Sequence, residues 1–375
     1  MRIAQLPFYW RLKGYGDLSP VPQRFPFEYD FDEDLQLLIQ KRNPKTLAHL
    51  ATIYREDANI GYLQDDNQIA RPYGTDFYRF INNALERWGS STRQILEIGC
   101  GGCTILETLK DRGYEVVGID PGPLSYREGI HRRIRVINDF FPTSNFLDLV
   151  DLIFHNDVLE HVAEPVEFLI AQKNQLRENG LIITAVPDCS EGVNLGELSM
   201  TMHQHLNYYD LDSLKNVFEA AGLEVLLIKR ATYGGSLYCC ARKTERDFNV
   251  NKKAGTLKFE TFLELAKETA LSVTLKISEA FERKESVGFY APLRALPYLA
   301  FQEKWTDFRF FDDTENWYGK YFDGVDVPIE NFSDLRLNPV DSLFVMSPTF
   351  GEAIQSRILE SNIPITSLNL LENLI

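Results

Sequence analysis

The chain has no cysteine before Cys100 and only five in 375 residues: Cys100, Cys103, Cys189, Cys239 and Cys240. They make no spaced pair of pairs, so neither a disulfide framework nor a cysteine zinc site is expected. Basic charge is also scarce. Lys and Arg number 39 against 54 Asp and Glu, the net charge is −15, and no Lys/Arg-rich run occurs. That argues against a nucleic-acid-binding face, which needs clustered cations. No apolar stretch reaches the roughly 18 residues of a membrane span. The first residues, MRIAQLPFYWRLKGYG, lack the apolar stretch of a secretory signal. These absences set the expectation of a cytoplasmic protein with no nucleic-acid or membrane partner.

What is present is a long, apolar-rich chain. At 44% apolar residues it has ample material for cores, and its length predicts two or three domains. The most informative stretch is Gln94 to Asp120. An apolar strand (Ile95, Leu96, Ile98) runs into the turn Gly99-Cys100-Gly101-Gly102. A helical segment (Thr104 to Arg112) and a second strand (Val116, Val117, Ile119) follow, and the second strand ends at Asp120. Such a βαβ unit binds an adenosyl group: glycines let backbone N–H groups approach a ligand, and an acidic residue at the next strand tip holds the ribose. A dinucleotide and S-adenosylmethionine both suit that geometry. Glu97 inside the strand end and the E-x-G-x-G spacing favour S-adenosylmethionine. Cys100 and Cys103 form a CxxC, but inside this turn they read as small packing residues.

Three regions follow from the patterning: residues 1–90, 91–245 and 250–375. The first is aromatic-rich, with helical patches at 34–40, 46–54 and 75–88 and no visible strand-rich core, and reads as a cap. The second alternates strands (94–98, 115–119, 134–137, 150–155, 181–186, 223–229, 236–242) with helices stopped by Gly113, Gly180 and Gly222. The pattern predicts a doubly wound, mostly parallel sheet closed by an antiparallel hairpin. In the helix over 212–221, Leu214, Val217, Phe218 and Ala221 share one face. The third region opens with a long helix over 256–284 and restarts α/β alternation, with strands at 286–290, 308–311 and 342–346 and a helix at 350–360.

Further candidates lie at the carboxyl ends of the strands, where ligands of α/β sheets bind. Asp139 is placed to accept from an adenine amino group, and Phe140 to pack on the ring. Asp157 opens the run Asp157-Val158-Leu159-Glu160-His161, in which His161 reads as a structural histidine. Met202-His203-Gln204-His205-Leu206-Asn207-Tyr208-Tyr209 precedes the 212–221 helix. An imidazole there suits a general base, and His205, His203 and Tyr208 are the catalytic candidates. Its HxH lacks the further ligands that zinc requires.

On these motifs the chain resembles the three-domain S-adenosylmethionine-dependent sugar C-methyltransferases. The resemblance is carried by Glu97-Ile98-Gly99-Cys100-Gly101-Gly102, Val117-Gly118-Ile119-Asp120-Pro121, Asp157 to His161, Met202 to Tyr209 and Gly234-Gly235-Ser236-Leu237-Tyr238. In the C-terminal region it continues through Phe311-Asp312-Asp313, Gly319-Lys320-Tyr321 and Gly324 to Ile329. It implies a Rossmann-like class I methyltransferase core with an irregular or helical N-terminal cap and a smaller C-terminal α/β domain. It also implies a nucleotide-linked sugar as acceptor. Departures are plain. The N-terminal cysteine cluster of many members is missing, so no metal is expected. Met202 and Gln204 stand where the family has Tyr and Glu, and Cys103 replaces the third glycine. Methylation at oxygen therefore stays open beside methylation at carbon.

The resulting expectation is an S-adenosylmethionine-dependent methyltransferase of a small-molecule acceptor. Glu97, Gly99, Gly101, Gly102, Asp120, Asp139, Phe140 and Asp157 would bind the cofactor, and His205 would be the base, with Tyr62 and Tyr73 as further candidates in the cap. A non-catalytic member binding the same ligands and a nucleotide-dependent oxidoreductase are the alternatives.

Overall fold

Strands buried on both faces read as near-continuous apolar runs, because each face of a parallel sheet is covered by helices. Five such runs and a closing hairpin build the larger sheet: β1 (Gln94–Ile98), β2 (Glu115–Ile119), β3 (Arg135–Ile137), β4 (Val150–Asn156), β5 (Leu176–Pro187), β6 (Leu223–Arg230) and β7 (Ser236–Lys243). In the computed structural model, which describes residues 1–8, 11–56, 70–244, 255–302 and 307–375, they are ordered β3-β2-β1-β4-β5-β7-β6. Strands β1 to β5 pair in parallel, and β7 enters antiparallel between β5 and β6. A dinucleotide-binding sheet ends 4-5-6, so the intercalated β7 separates this fold from that one.

The chain divides into two compact units. One comprises Asp30–Ser190 and Leu206–Gly255 and holds this sheet; the other comprises Met1–Tyr29, Glu191–His205 and Thr256–Ile375. In the first, side chains alternate across the sheet. Leu96, Ile153, Ile182 and Val186 enter a core with Leu169, Leu214, Val217 and Phe218. Ile95, Leu152, Phe154 and Ile183 enter another, with Phe77, Phe80 and Ile81 of helix α1 (Ala70–Trp88) and Leu106 and Leu109 of α2 (Thr104–Asp111). Each large apolar side chain so buried contributes about 1.5–3 kcal/mol.

The seven strands and the apolar face of the last helix are those read from the sequence. Three local expectations are corrected. Residues 34–40 are not helical: Leu37–Gln40 is a strand paired antiparallel with Asn207–Tyr208. Asp32 accepts from the Leu35 N–H and Gln36 sits at φ +55°, which makes a turn where a helix was expected. Gly180 does not stop a helix. The helix over Pro165–Gln175 ends earlier, and β5 runs through Gly180 with a register shift opposite Val150/Leu152. The first ninety residues do contain strands, at Arg2–Pro7, Leu12–Lys13, Arg24–Asp32 and Leu37–Gln40.

The second unit is built on an all-parallel sheet of β8 (Val287–Tyr290), β9 (Phe308–Phe311), β10 (Ile329–Glu330), β11 (Ser342–Val345) and β12 (Ser367–Leu370), ordered β10-β9-β8-β11-β12. Its order reverses between β8 and β11. There Tyr290 donates to Asp313 Oδ1 at 2.7 Å and Arg357 pairs with Asp313 Oδ2 at 2.8 Å. Arg2–Pro7 pairs antiparallel with Arg24–Glu28 in the same unit, placing Phe8, Phe25 and Phe27 around His203.

Candidate active site

The carboxyl ends of β1 and β4 flank the point where the strand order of the larger sheet reverses, the position at which α/β sheets bind ligands. Glu97 lies one residue before the end of β1 and is 1% exposed. Among the described residues no hydrogen-bond partner meets its Oε2. Burial pushes its carboxyl well above the usual range, and the neighbouring Cys103 and Asp120 add to the shift. A buried carboxyl without a cation is poised for a cationic ligand group.

The turn after Glu97 is shaped for close approach. Gly99 (φ +72°) donates to the Ile119 carbonyl at 2.8 Å, and Gly101 sits at φ +45°. A Cβ on Gly99 would come within 2.5 Å of Val158 Cγ2, so the turn lies directly against the segment after β4. One on Gly118 would meet Cys100 Sγ at 2.5 Å. The Cys100 thiol is pushed well above its ordinary range by its hydrogen bond with Cys103 and by burial, so the pair packs rather than reacts. Gly102 completes the turn, and Cys103, at φ +60°, caps α2.

Asp120 closes the other side. Its carboxylate accepts from the Gly101 N–H at 3.1 Å and the Gly122 N–H at 2.7 Å, tying the tip of β2 to the glycine turn. Burial raises its pKa, and these two bonds oppose the rise. At the end of β3, Asp139 accepts from Thr143 Oγ1 at 2.6 Å, the Phe140 N–H at 2.9 Å and Asn145 at 3.2 Å. The Thr143 hydroxyl bond leads the lowering of its pKa, so its charge orders its own loop. The Arg55 guanidinium stands 4.7 Å over the Phe140 ring.

Asp157 follows β4 in a left-handed conformation, φ +52°. Its Oδ1 accepts from the Tyr73 hydroxyl at 2.8 Å, and that hydroxyl lies 2.9 Å from Ser236 Oγ at the start of β7. Burial raises Asp157 to about 6. Gly234 makes room for Tyr73: a Cβ there would lie 2.5 Å from Tyr73 Cδ2. Glu160, also buried and raised by burial, has His161 Nε2 at 3.6 Å.

The structure therefore brings Glu97, Gly99, Gly101, Asp120 and Asp157 to the adjoining carboxyl ends of β1, β2 and β4. The catalytic candidates are distributed differently. Tyr208 is buried in the first unit, paired opposite Leu38. His203 and His205 belong to the second. His203 stacks on Phe8 at 4.6 Å, in an aromatic core. His205 Nδ1 lies 3.2 Å from the Met200 carbonyl; a carbonyl only accepts, so Nδ1 is the donor in this contact. Tyr62 lies outside the described residues. Sequence reasoning missed the buried Glu160 and the link from Tyr73 to Asp157 and Ser236. The one signal of that link is the Gly234-Gly235 pair, which is unusual at the start of a buried strand.

The residues fit S-adenosylmethionine. An orphaned buried carboxyl oxygen at Glu97 suits its ammonium, and the glycine turn leaves a cradle that side chains would fill. The strand order is that of the Rossmann-like fold of class I S-adenosylmethionine-dependent methyltransferases. Residues 66–228 match the family model described as "Methyltransferase domain". The chain is 25% identical over 180 residues to the C-methyltransferase NovU of Streptomyces niveus, covering 46% of this chain and 43% of that protein. It is 28% identical over 151 residues to the ubiquinone biosynthesis O-methyltransferase of Aeromonas salmonicida, covering 36% and 63%. The match thus spans about half the length of these curated relatives. The N-methyltransferase NodS of Bradyrhizobium japonicum, solved with S-adenosylhomocysteine, aligns at 19% identity and a TM-score of 0.38, covering 52% of this chain and 97% of NodS. No helix among the described residues is long and apolar enough to cross a membrane.

Proposed function

We propose that the protein is an S-adenosylmethionine-dependent methyltransferase of a small-molecule acceptor, with a nucleotide-linked sugar as the leading acceptor class. The observation that carries the cofactor part is the crevice in which Glu97, the glycine turn and Asp120 interlock. The sugar part rests on the motif resemblance and on the similarity to NovU.

In this reading Glu97 holds the ammonium of the cofactor, the Gly99–Gly102 turn lies along its length, and Asp120 faces the ribose. Phe140 and Asp139 border the adenine end. When bound, the cofactor supplies an electrophilic methyl group. His205 is the proposed base, acting through Nε2, since its Nδ1–H is committed to the Met200 carbonyl. A proton taken by Nε2 from an acceptor hydroxyl or acidic C–H leaves the nucleophile. Alignment of the reactants and exclusion of water supply most of the acceleration.

Calorimetric titration with S-adenosylhomocysteine, repeated on Asp120→Ala, tests the cofactor reading. Micromolar binding weakened by the substitution supports it, and no binding to the natural chain overturns it. Transfer of a labelled methyl group to nucleotide-linked ketosugars, lost in His205→Asn with cofactor affinity retained, tests the acceptor and the base.

A further inference from the structure

Two carboxyls, the buried Glu97 and the half-buried Asp157, lie at neighbouring strand ends with no cation bonded to them among the described residues. Glu97 is the next-to-last residue of β1, and Asp157 follows β4, its parallel neighbour. Among the described residues the bonded partners of Asp157 are neutral: Tyr73, and Asn156, whose amide donates to Oδ2 at 3.2 Å. S-adenosylmethionine carries two cationic centres, an ammonium and a sulfonium. Its demethylated product keeps only the ammonium.

The positions match this difference. Val158 Cγ2 lies against Gly99, so Asp157, the residue before it, stands beside the first glycine, two residues beyond Glu97. Its left-handed backbone is a strained conformation for a residue with a β-carbon, held by the Asp157 N–H bond to the Ala185 carbonyl at 3.1 Å and by Tyr73. A half-buried carboxylate held only by neutral donors gains further when a cation meets it.

We propose that the Tyr73–Asp157 pair is the charge-recognition element of the cofactor crevice, placed to favour the sulfonium of S-adenosylmethionine over the neutral thioether of S-adenosylhomocysteine. The inference rests on the reading of this crevice as the cofactor site. Its consequence is preferential release of product, because methyl transfer removes the charge that Asp157 holds. Among the described residues the titratable groups facing Asp157 are Tyr73 from α1, Tyr238 from β7 and Glu160 from the turn after β4. All three are neutral or anionic, so none substitutes for the missing cation. Burial holds Asp157 near the middle of the accessible pH range, and the Tyr73 hydroxyl opposes that rise.

The test uses the full chain and two unreactive ligands: S-adenosylhomocysteine, and sinefungin, in which a protonated amine replaces the sulfonium. Calorimetric affinities at about pH 5 and about pH 8 give the preference for the cation. The expected preference is about tenfold at the higher pH, the scale of one screened charge pair, and it shrinks at the lower. Asp157→Asn brings the ratio close to one at both. Tyr73→Phe, which removes the hydroxyl that lowers the Asp157 pKa, moves the midpoint to higher pH and supports the inference even if Asp157→Asn does not fold. Binding of both ligands with one pH-independent ratio, or a preference that survives Asp157→Asn, overturns it. Failure of both ligands to bind overturns the cofactor reading, and this inference with it.

Discussion

Gly99 and Val158 approach so closely that a β-carbon on Gly99 would lie 2.5 Å from Val158 Cγ2. Gly99 also sits at φ +72°. Gly99→Ala therefore combines a clash with a backbone strain of about 1–2 kcal/mol. Its expected cost is about 2–4 kcal/mol in denaturant unfolding, with loss of S-adenosylhomocysteine binding. Gly101, in the same turn, has nothing within 4 Å of its would-be Cβ and φ +45°. Gly101→Ala should cost only about 1 kcal/mol. Equal losses at the two positions would contradict the close packing of the turn on the segment after β4.

Glu97 makes a proton-counting prediction. Its carboxyl is raised well above the usual range by burial, so an ammonium that enters beside it favours the ionised form and drives off a proton. Binding of S-adenosylhomocysteine near pH 6 should release protons, measured as a dependence of the calorimetric heat on the buffer's ionisation enthalpy. Glu97→Gln should abolish that dependence. A heat independent of buffer in the natural chain would count against Glu97 as the ammonium partner.

His155 and Asp157 bend the pH–stability curve in opposite directions. His155, in β4, accepts or donates with Thr184 Oγ1 at 2.8 Å, and burial lowers it to about 3. Its unfolded value is about 6.5, so the stability it contributes is complete above that pH and is lost as pH falls toward 3. The full effect is of the order of 4 kcal/mol. Asp157 is raised to about 6. Its ionisation therefore costs stability as pH rises from about 4 to 6, by about 2–3 kcal/mol. His155→Asn should flatten the acid limb of a denaturation series, and Asp157→Asn should be more stable than the natural chain near pH 8. The same sign for both variants would contradict these assignments.

His203 is expected to behave as a packing residue, against its reading as a catalytic candidate. It stacks on Phe8 at 4.6 Å, meets Phe25 edge to face and lies beside the tilted ring of Phe27. His203→Ala should lower stability by about 2–4 kcal/mol, read from urea unfolding, since it empties an aromatic core. A stability within about 0.5 kcal/mol of the natural chain would return His203 to the catalytic candidates.

The larger sheet was legible because its strands are short apolar runs closed by turn residues, and Glu97-x-Gly-x-Gly with Asp120 is a local signal within one βαβ unit. Residues 34–40 misled because Leu35, Leu37 and Leu38 suit a helix as well as a strand; the strand is set by pairing with Asn207–Tyr208, far along the chain. Gly180 looked like a helix stop because its neighbours suggest a turn, but a displaced register carries the strand through it. The pairing of Tyr73 with Asp157 spans 84 residues and joins a helix to a strand end, so no local pattern announces it.

The antiparallel course of β7 has a consequence for assembly. The strand slots between β5 and β6, and it is the last of the seven to emerge during synthesis. Until it arrives, β5 presents an unpaired edge and Ser236 cannot reach Tyr73, 163 residues earlier. Closure of the crevice wall is thus a late, long-range event, and such contacts are slow to form because the intervening chain must be ordered first. A nascent chain stalled before Ser236 would expose β5 to mispairing, which makes the hairpin of β6 and β7 the checkpoint between a collapsed chain and a closed domain.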